Sequence, residues 1–145
     1  MSLILGLDPG GTTGFAVFDV QPGEPFKLLE HGQISNGSYG FARWWDERPD
    51  LHGARVVSET FEDDHRTEDP DITPLRIEGI LDYVARDWIG QPNYCKASAP
   101  DEFMKRYGLW FKGQPHATDA ARHVVHWAKS KRHVPTLRAW WPRRA

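Results

Sequence analysis

Residues 3–20 read LILGLDPGGTTGFAVFDV, and the eight residues LDPGGTTG (7–14) at their centre decide what the rest of the chain builds. Leu3 to Leu7 is a continuous apolar run, short and followed at once by a turn signal, so it predicts a buried strand. The run stops on Asp8, a carboxylate at a strand end. Gly10, Gly11 and Gly14, interleaved with Thr12 and Thr13, then reverse the chain before a second apolar run, GFAVFDV (14–20). Two chemistries follow from that arrangement. The glycines can let a backbone loop approach a phosphate, or they can make a tight hairpin that leaves Asp8 exposed as a metal ligand. An ordinary turn that carries an Asp is the third reading.

Outward from this stretch, FKLLEHGQI (26–34) predicts a third strand after the QPGEP turn, and the short spacings favour an antiparallel meander. SYGFARWWDE (38–47) places Phe41, Trp44 and Trp45 at helical spacing and stops before Pro49. ARVVSETF (54–61) predicts a buried strand that emerges with Glu59. Thr73 to Trp88 is a helix opened by Pro74, with Leu75, Ile77, Ile80, Leu81 and Val84 on its apolar stripe. NYCKASA (93–99) is the expected fifth strand. PDEFMKRYG (100–108) is a short helix and HATDAARHVVHWAKSK (116–131) a longer one. A meander followed by alternating helices and strands implies an α/β fold with a mixed five-stranded sheet flanked by helices. The ribonuclease H-like fold has this order.

Composition bounds the function. With 145 residues, 39% of them hydrophobic, the chain suffices for one core and is short for two domains, so residues 1–145 are expected to form a single domain. Cys95 is the only cysteine, which excludes an internal disulfide. No apolar run approaches the roughly 18 residues of a membrane span. The expectation is a soluble, cytoplasmic protein of a reducing compartment. The net charge of −2 conceals an asymmetry. Residues 1–90 carry 7 Lys and Arg against 17 Asp and Glu, a balance of −10, whereas residues 91–145 carry 11 against 3, a balance of +8. A basic half attracts polyanions; an acidic cluster repels them unless cations bind it.

Three motifs carry chemistry. Asp8 and Glu59 stand at strand ends, from which both can project into one site if their strands are neighbours. On the late helix, at 100° per residue, Asp119, His123 and His126 fall within about 80° of His116, and His116 with Asp119 forms an i, i+3 pair able to converge on one ion. His123 and His126 are read as ordinary hydrogen-bonded residues, and Val124, Val125 and Ala128 as the apolar contact. A phosphate-binding reading would resemble the sugar kinase and actin family of ATPases, but that architecture closes two such domains over a nucleotide. No second glycine-rich loop occurs here.

Taken together, the motifs resemble the RuvC-like Holliday junction resolvases. Asp8, Pro9, Gly10 and Gly14 match the family's first-strand Asp-Pro-Gly and its glycine-containing turn. Glu59 to Phe61 approximates the strand-end Glu-x-x-Phe, and His116, Asp119 and Ala120 fit the His-x-x-Asp-Ala form of the late helix. APDEFMKRYGLWFKG is similar to the family's Pro-to-Lys segment. The resemblance spans roughly Leu3 to Lys131 and reads as a compact, divergent, phage-borne member. It implies that Asp8, Glu59, His116 and Asp119 hold two Mg²⁺ or Mn²⁺ ions and that Asp8 serves a metal. It also implies that a homodimer cuts branched DNA. Lys112 becomes a catalytic candidate, and Lys96, Lys105, Arg106 and Lys112 become DNA contacts. A nuclease of flaps and other branched DNA, a non-catalytic nucleic-acid-binding module, and a small ATPase-like nucleotide-binding domain are the alternatives.

Two segments depart from this picture. Glu62, Asp63, Asp64, Glu68, Asp69 and Asp71 make the loop after Glu59 more negative than a DNA groove should be. The tail, residues 132–145, mixes arginines with Trp140 and Trp141. It suits either base stacking or a strap packed on the core or on a partner subunit.

Overall fold

The computed structural model describes residues 2–63, 65 and 68–142. Asp64 of the acidic loop and Arg143 and Arg144 of the tail lie outside the described residues. Strands β1 (Ser2–Asp8), β2 (Thr13–Val20) and β3 (Lys27–Ile34) form the expected meander, followed by α1 (Gly37–Asp46), β4 (Arg55–Glu59), α2 (Thr73–Val84) and β5 (Ile89–Gln91). Three helices complete the chain: α3 (Asp101–Arg106), α4 (Pro115–Ser130) and α5 (Val134–Trp140). Among the described residues, no helix is long and apolar enough to cross a membrane.

The sheet order is β3-β2-β1-β4-β5. β1 pairs antiparallel with β2 and parallel with β4, and β4 pairs parallel with β5, so the sheet is mixed as the element order predicts. β1 is central, which is why LILGL is apolar throughout: both of its faces are covered. Leu5 and Leu7 join Phe15, Val17 and Val56 under α1 and α2 through Phe41, Trp45, Ile77 and Leu81. Ile4 joins Ala16, Phe18 and Val57 under α4.

One expectation is corrected, and one open alternative is decided. NYCKASA is not a strand. Residues Asn93–Ser98 form a 3-10 turn, and the fifth strand is the preceding Ile89–Gln91, held by its pairing with β4. Pro92, which lacks an N–H, ends the ladder and opens the turn. Of the two readings of the tail, the structure takes the strap for Trp140 and Trp141. Trp140 is buried edge-on against Phe18, Phe26 and Phe103, and Trp141 stacks on Phe103 with ring centroids 5.0 Å apart. Residues 134–141 therefore act as a strap on the core.

The packing of α4 places the site. Its sheet-facing residues Ala117, Ala120, Ala121, Val124 and Ala128 are small, so the helix approaches the sheet closely. Glycines meet it from below. A Cβ on Gly6 would come within 2.5 Å of the Ala120 carbonyl oxygen, and one on Gly14 would collide with the His116 carbonyl. Gly14 is thus required for helix–sheet contact rather than for turn geometry, while Gly11 faces open space.

Candidate active site

Side-chain alternation along the strands decides which residues reach the site. On β1, Ile4, Gly6 and Asp8 share the face beneath α4; on the parallel neighbour β4, Val57 and Glu59 share it too. Leu7 pairs with Ser58, so Asp8 and Glu59 stand side by side at the C-terminal ends of adjacent strands. From above, the first two turns of α4 bring His116 and Asp119 over them. The three carboxylates and His116 line one cleft of about 670 Å³, together with Pro9 to Thr12, Asn93 and Lys96. Glu62 and Asp71 of the acidic loop line the same cleft.

His116 Nδ1 lies 3.1 Å from Asp8 Oδ2. Asp119 Oδ1 accepts from Arg122 Nε at 3.1 Å, and Asp119 Oδ2 is 3.3 Å from the Lys96 ammonium. Glu59 Oε1 meets Asn93 Nδ2 at 3.1 Å, Lys96 Nζ at 3.2 Å and His123 Nε2 at 3.2 Å. The fully buried His123 also sets its Nδ1 2.8 Å from Gln91 Oε1, which ties β5 to β4 through the helix.

The charges are uneven. Burial, followed by repulsion from Glu59 and Asp119, pushes the Asp8 carboxyl up to about 8. Glu59 moves the other way. Burial works against its ionised form, but the hydrogen bond from His123 and the charge of Lys96 bring it down to about 2. Burial also opposes the Lys96 ammonium, and Glu59 and Asp119 outweigh it, so Lys96 is raised. The cluster is an ionised Glu59–Lys96 pair beside an Asp8 that burial and the neighbouring acids keep protonated.

The donors suit a hard divalent cation, being carboxylate oxygens with one imidazole, and a doubly charged ion would relieve the repulsion that holds Asp8 neutral. Among the described residues, no three His, Cys, Asp or Glu side chains already converge closely enough to hold one ion. What stands among the carboxylates is the Lys96 ammonium.

Other sequence expectations land elsewhere. Lys112 is exposed in the turn before α4 and does not line the cleft. Lys105 lies over the Trp110 ring at 4.8 Å and Arg106 over Tyr107 at 5.6 Å, both exposed on α3. Lys96, read from sequence as a DNA contact, has its charge engaged by Glu59 and Asp119. His126 is the hydrogen-bonded residue expected, 2.8 Å from Ser98 Oγ. His123 is hydrogen-bonded as well, but one of its two partners is Glu59, which makes it part of the site. Its spacing of i+4 from Asp119 was the available signal. Asn93 and Arg122 gave none.

No protein-family model matches the chain, and no curated protein matches its sequence. Solved structures do match its fold. The Thermus thermophilus RuvC structure superposes with a TM-score of 0.64 at 16% identity, over 90% of this chain and 96% of that one. T. thermophilus RuvC in complex with Holliday junction substrate gives 0.66 at 15% identity, covering 92% and 97%. The fowlpox virus Holliday junction resolvase gives 0.60 at 12% identity, covering 89% and 99%. At these identities the likeness is one of fold. The chain has the RuvC-like, ribonuclease H-like arrangement that its motifs anticipate.

Proposed function

We propose that residues 1–145 act as one nuclease domain that hydrolyses phosphodiester bonds in branched DNA with the help of divalent ions, Holliday junctions being the preferred substrate. One observation carries this reading: two adjacent parallel strand ends and one helix bring Asp8, Glu59 and Asp119 into a single open cleft where their charges are only partly offset.

Asp8, Glu59, His116 and Asp119 would hold the ions. Bound there, Mg²⁺ or Mn²⁺ supplies Lewis acidity toward the phosphate oxygens and lowers the pKa of a bound water. The chain's own residues do the rest. Asp8 gives up its proton on loading. His123 and Asn93 hold Glu59 Oε1 and thereby fix the carboxylate's orientation. Arg122 does the same for Asp119 Oδ1, and the contact between His116 Nδ1 and Asp8 Oδ2 orients the imidazole ring. Lys105, Arg106 and Lys112, exposed in the basic half, attract the phosphate backbone, while Glu62 and Asp71 at the cleft repel it and restrict its approach.

A Holliday junction presents two strands of like polarity, and a two-fold symmetric pair of sites would cut both. The exposed Leu75 and Tyr83 of α2 suit such a dimer contact. Trp140, buried in its own chain, does not.

The test is cleavage of a cruciform plasmid in Mg²⁺ or Mn²⁺, with molecular mass measured in parallel. Paired incision by a dimer linearises the circle. Relaxed circles from a monomer that cuts flaps as fast as junctions would leave a general branched-DNA nuclease. Asp8→Asn and Asp119→Asn should each lower cleavage by at least about 10³-fold while DNA binding persists. Wild-type turnover by either variant would overturn the metal assignment.

A further inference from the structure

The side chain with no role in that reading is Lys96. It belongs neither to β4 nor to α4 but to the 3-10 turn after β5. From there its ammonium reaches Glu59 Oε1 at 3.2 Å and Asp119 Oδ2 at 3.3 Å. Its side chain is 22% exposed. The turn that carries it is anchored on α4 at several points. Ser98 Oγ bonds His126 Nδ1, Arg122 Nη1 donates to the Ala99 carbonyl, and Arg122 Nη2 donates to Asp101 Oδ1 at 2.6 Å. Lys96 is therefore delivered to the acids by a fixed platform, unlike a solvated lysine that finds a partner by chance.

The position matters because Glu59 and Asp119 come from opposite sides of the cleft, and the ammonium joins them. A divalent ion ligated by both carboxylates would need the volume between them that the Lys96 ammonium now fills. Two cations cannot share that space, since their mutual repulsion adds to the loss of both ion pairs. Asp8 and His116 contact each other at 3.1 Å, and neither takes a hydrogen bond from the Lys96 ammonium.

We propose that Lys96 is a resident counter-cation of this site: its ammonium holds the place between Glu59 and Asp119 and must withdraw before a divalent ion is ligated by both. The inference rests on the proposed metal-dependent reading and adds a competitor to it. Lys96 neutralises the acids while the site is empty of ions, at the cost of weaker metal binding there.

Calorimetric titration of Mn²⁺ into the intact wild-type chain and into Lys96→Gln and Lys96→Arg, at one fixed pH, tests this. Lys96→Gln should bind Mn²⁺ about tenfold or more tightly, or take up an ion that the wild type does not, and should melt at lower temperature without metal. Lys96→Arg, which retains the charge, should bind Mn²⁺ as weakly as the wild type. Equal affinity and stoichiometry for all three proteins would overturn the competition and leave the metal-dependent reading intact. Binding by none would overturn both. A readout on the native chain covers the case in which Lys96→Gln does not fold. In ¹⁵N-lysine spectra the Lys96 Nζ signal should shift on saturation with Mg²⁺, and an unmoved signal at saturation would overturn the proposal.

Discussion

Asp8 is the residue at which the energetics of the site concentrate. Its carboxyl ionises near 3.8 in the unfolded chain and near 8 in the folded one, because of burial and the neighbouring acids. Between those values the folded protein binds a proton that the unfolded chain has released. Stability of the metal-free protein therefore contains an Asp8 contribution that falls as pH rises from about 4 to about 8 and levels off above it. Asp8→Asn removes that penalty without changing shape. At pH 8, without divalent ions, its melting temperature should exceed the wild type's by about 3 °C or more, and the difference should shrink toward pH 5. Thermal melts across that range check it. The same proton competes with metal, so Mn²⁺ affinity of the wild type should climb as pH rises through about 8. Glu59 shows no such behaviour in this range, since His123 and Lys96 keep it ionised.

At the scale of elements, the contact between α4 and the sheet determines whether the site exists. The glycines of LDPGGTTG look equivalent in sequence, yet the structure gives them different duties. Gly14→Ala forces a methyl group against the His116 carbonyl. It should cost about 1–3 kcal/mol and lower cleavage by displacing the first turn of α4. Gly11→Ala meets nothing within 4 Å and has no left-handed backbone to satisfy, so it should be close to neutral. Denaturant midpoints and cleavage rates for the two variants, side by side, make the comparison. The 3-10 turn is the second such element. It carries Asn93 and Lys96 to Glu59 from one end and Ser98 to His126 from the other, so it joins β5, β4 and α4 into one frame around the acids.

Across the whole molecule, the charge asymmetry becomes a geometry. The acidic half supplies Asp8 and Glu59 along with the repelling Glu62 and Asp71, and the basic half supplies Lys105, Arg106 and Lys112 on exposed surface. DNA affinity should then fall steeply with salt as counterions are released. Replacing Lys105 and Lys112 together by Ala should reduce the slope of log affinity against log salt by up to about 1.8, at roughly 0.9 per phosphate contact on duplex DNA. Fluorescence anisotropy over a salt series measures it, and an unchanged slope would move the DNA surface elsewhere. Glu62→Gln should tighten binding modestly, since it removes one repulsive charge from the cleft.

Sequence alone was enough for the first four strands, for α1, α2, α3 and α4, and for Asp8 and Glu59 at strand ends. Those features rest on apolar runs, periodicity and Gly or Pro punctuation, all of which act between near neighbours in the chain. The tertiary structure decided the rest. β5 is three residues long and owes its extended form to β4, so no local pattern marks it, whereas the β-like NYCKASA closes into a turn after Pro92. Lys96 looks like any exposed lysine until that turn points it at Glu59 and Asp119. His123 reads as a bland helix residue until α4 settles onto β4 and β5. Trp140 became core because a strap folds back over Phe18 and Phe26. Apart from Pro92, the deciding partners lie more than twenty residues away, where sequence periodicity carries no information and packing alone assigns the contact.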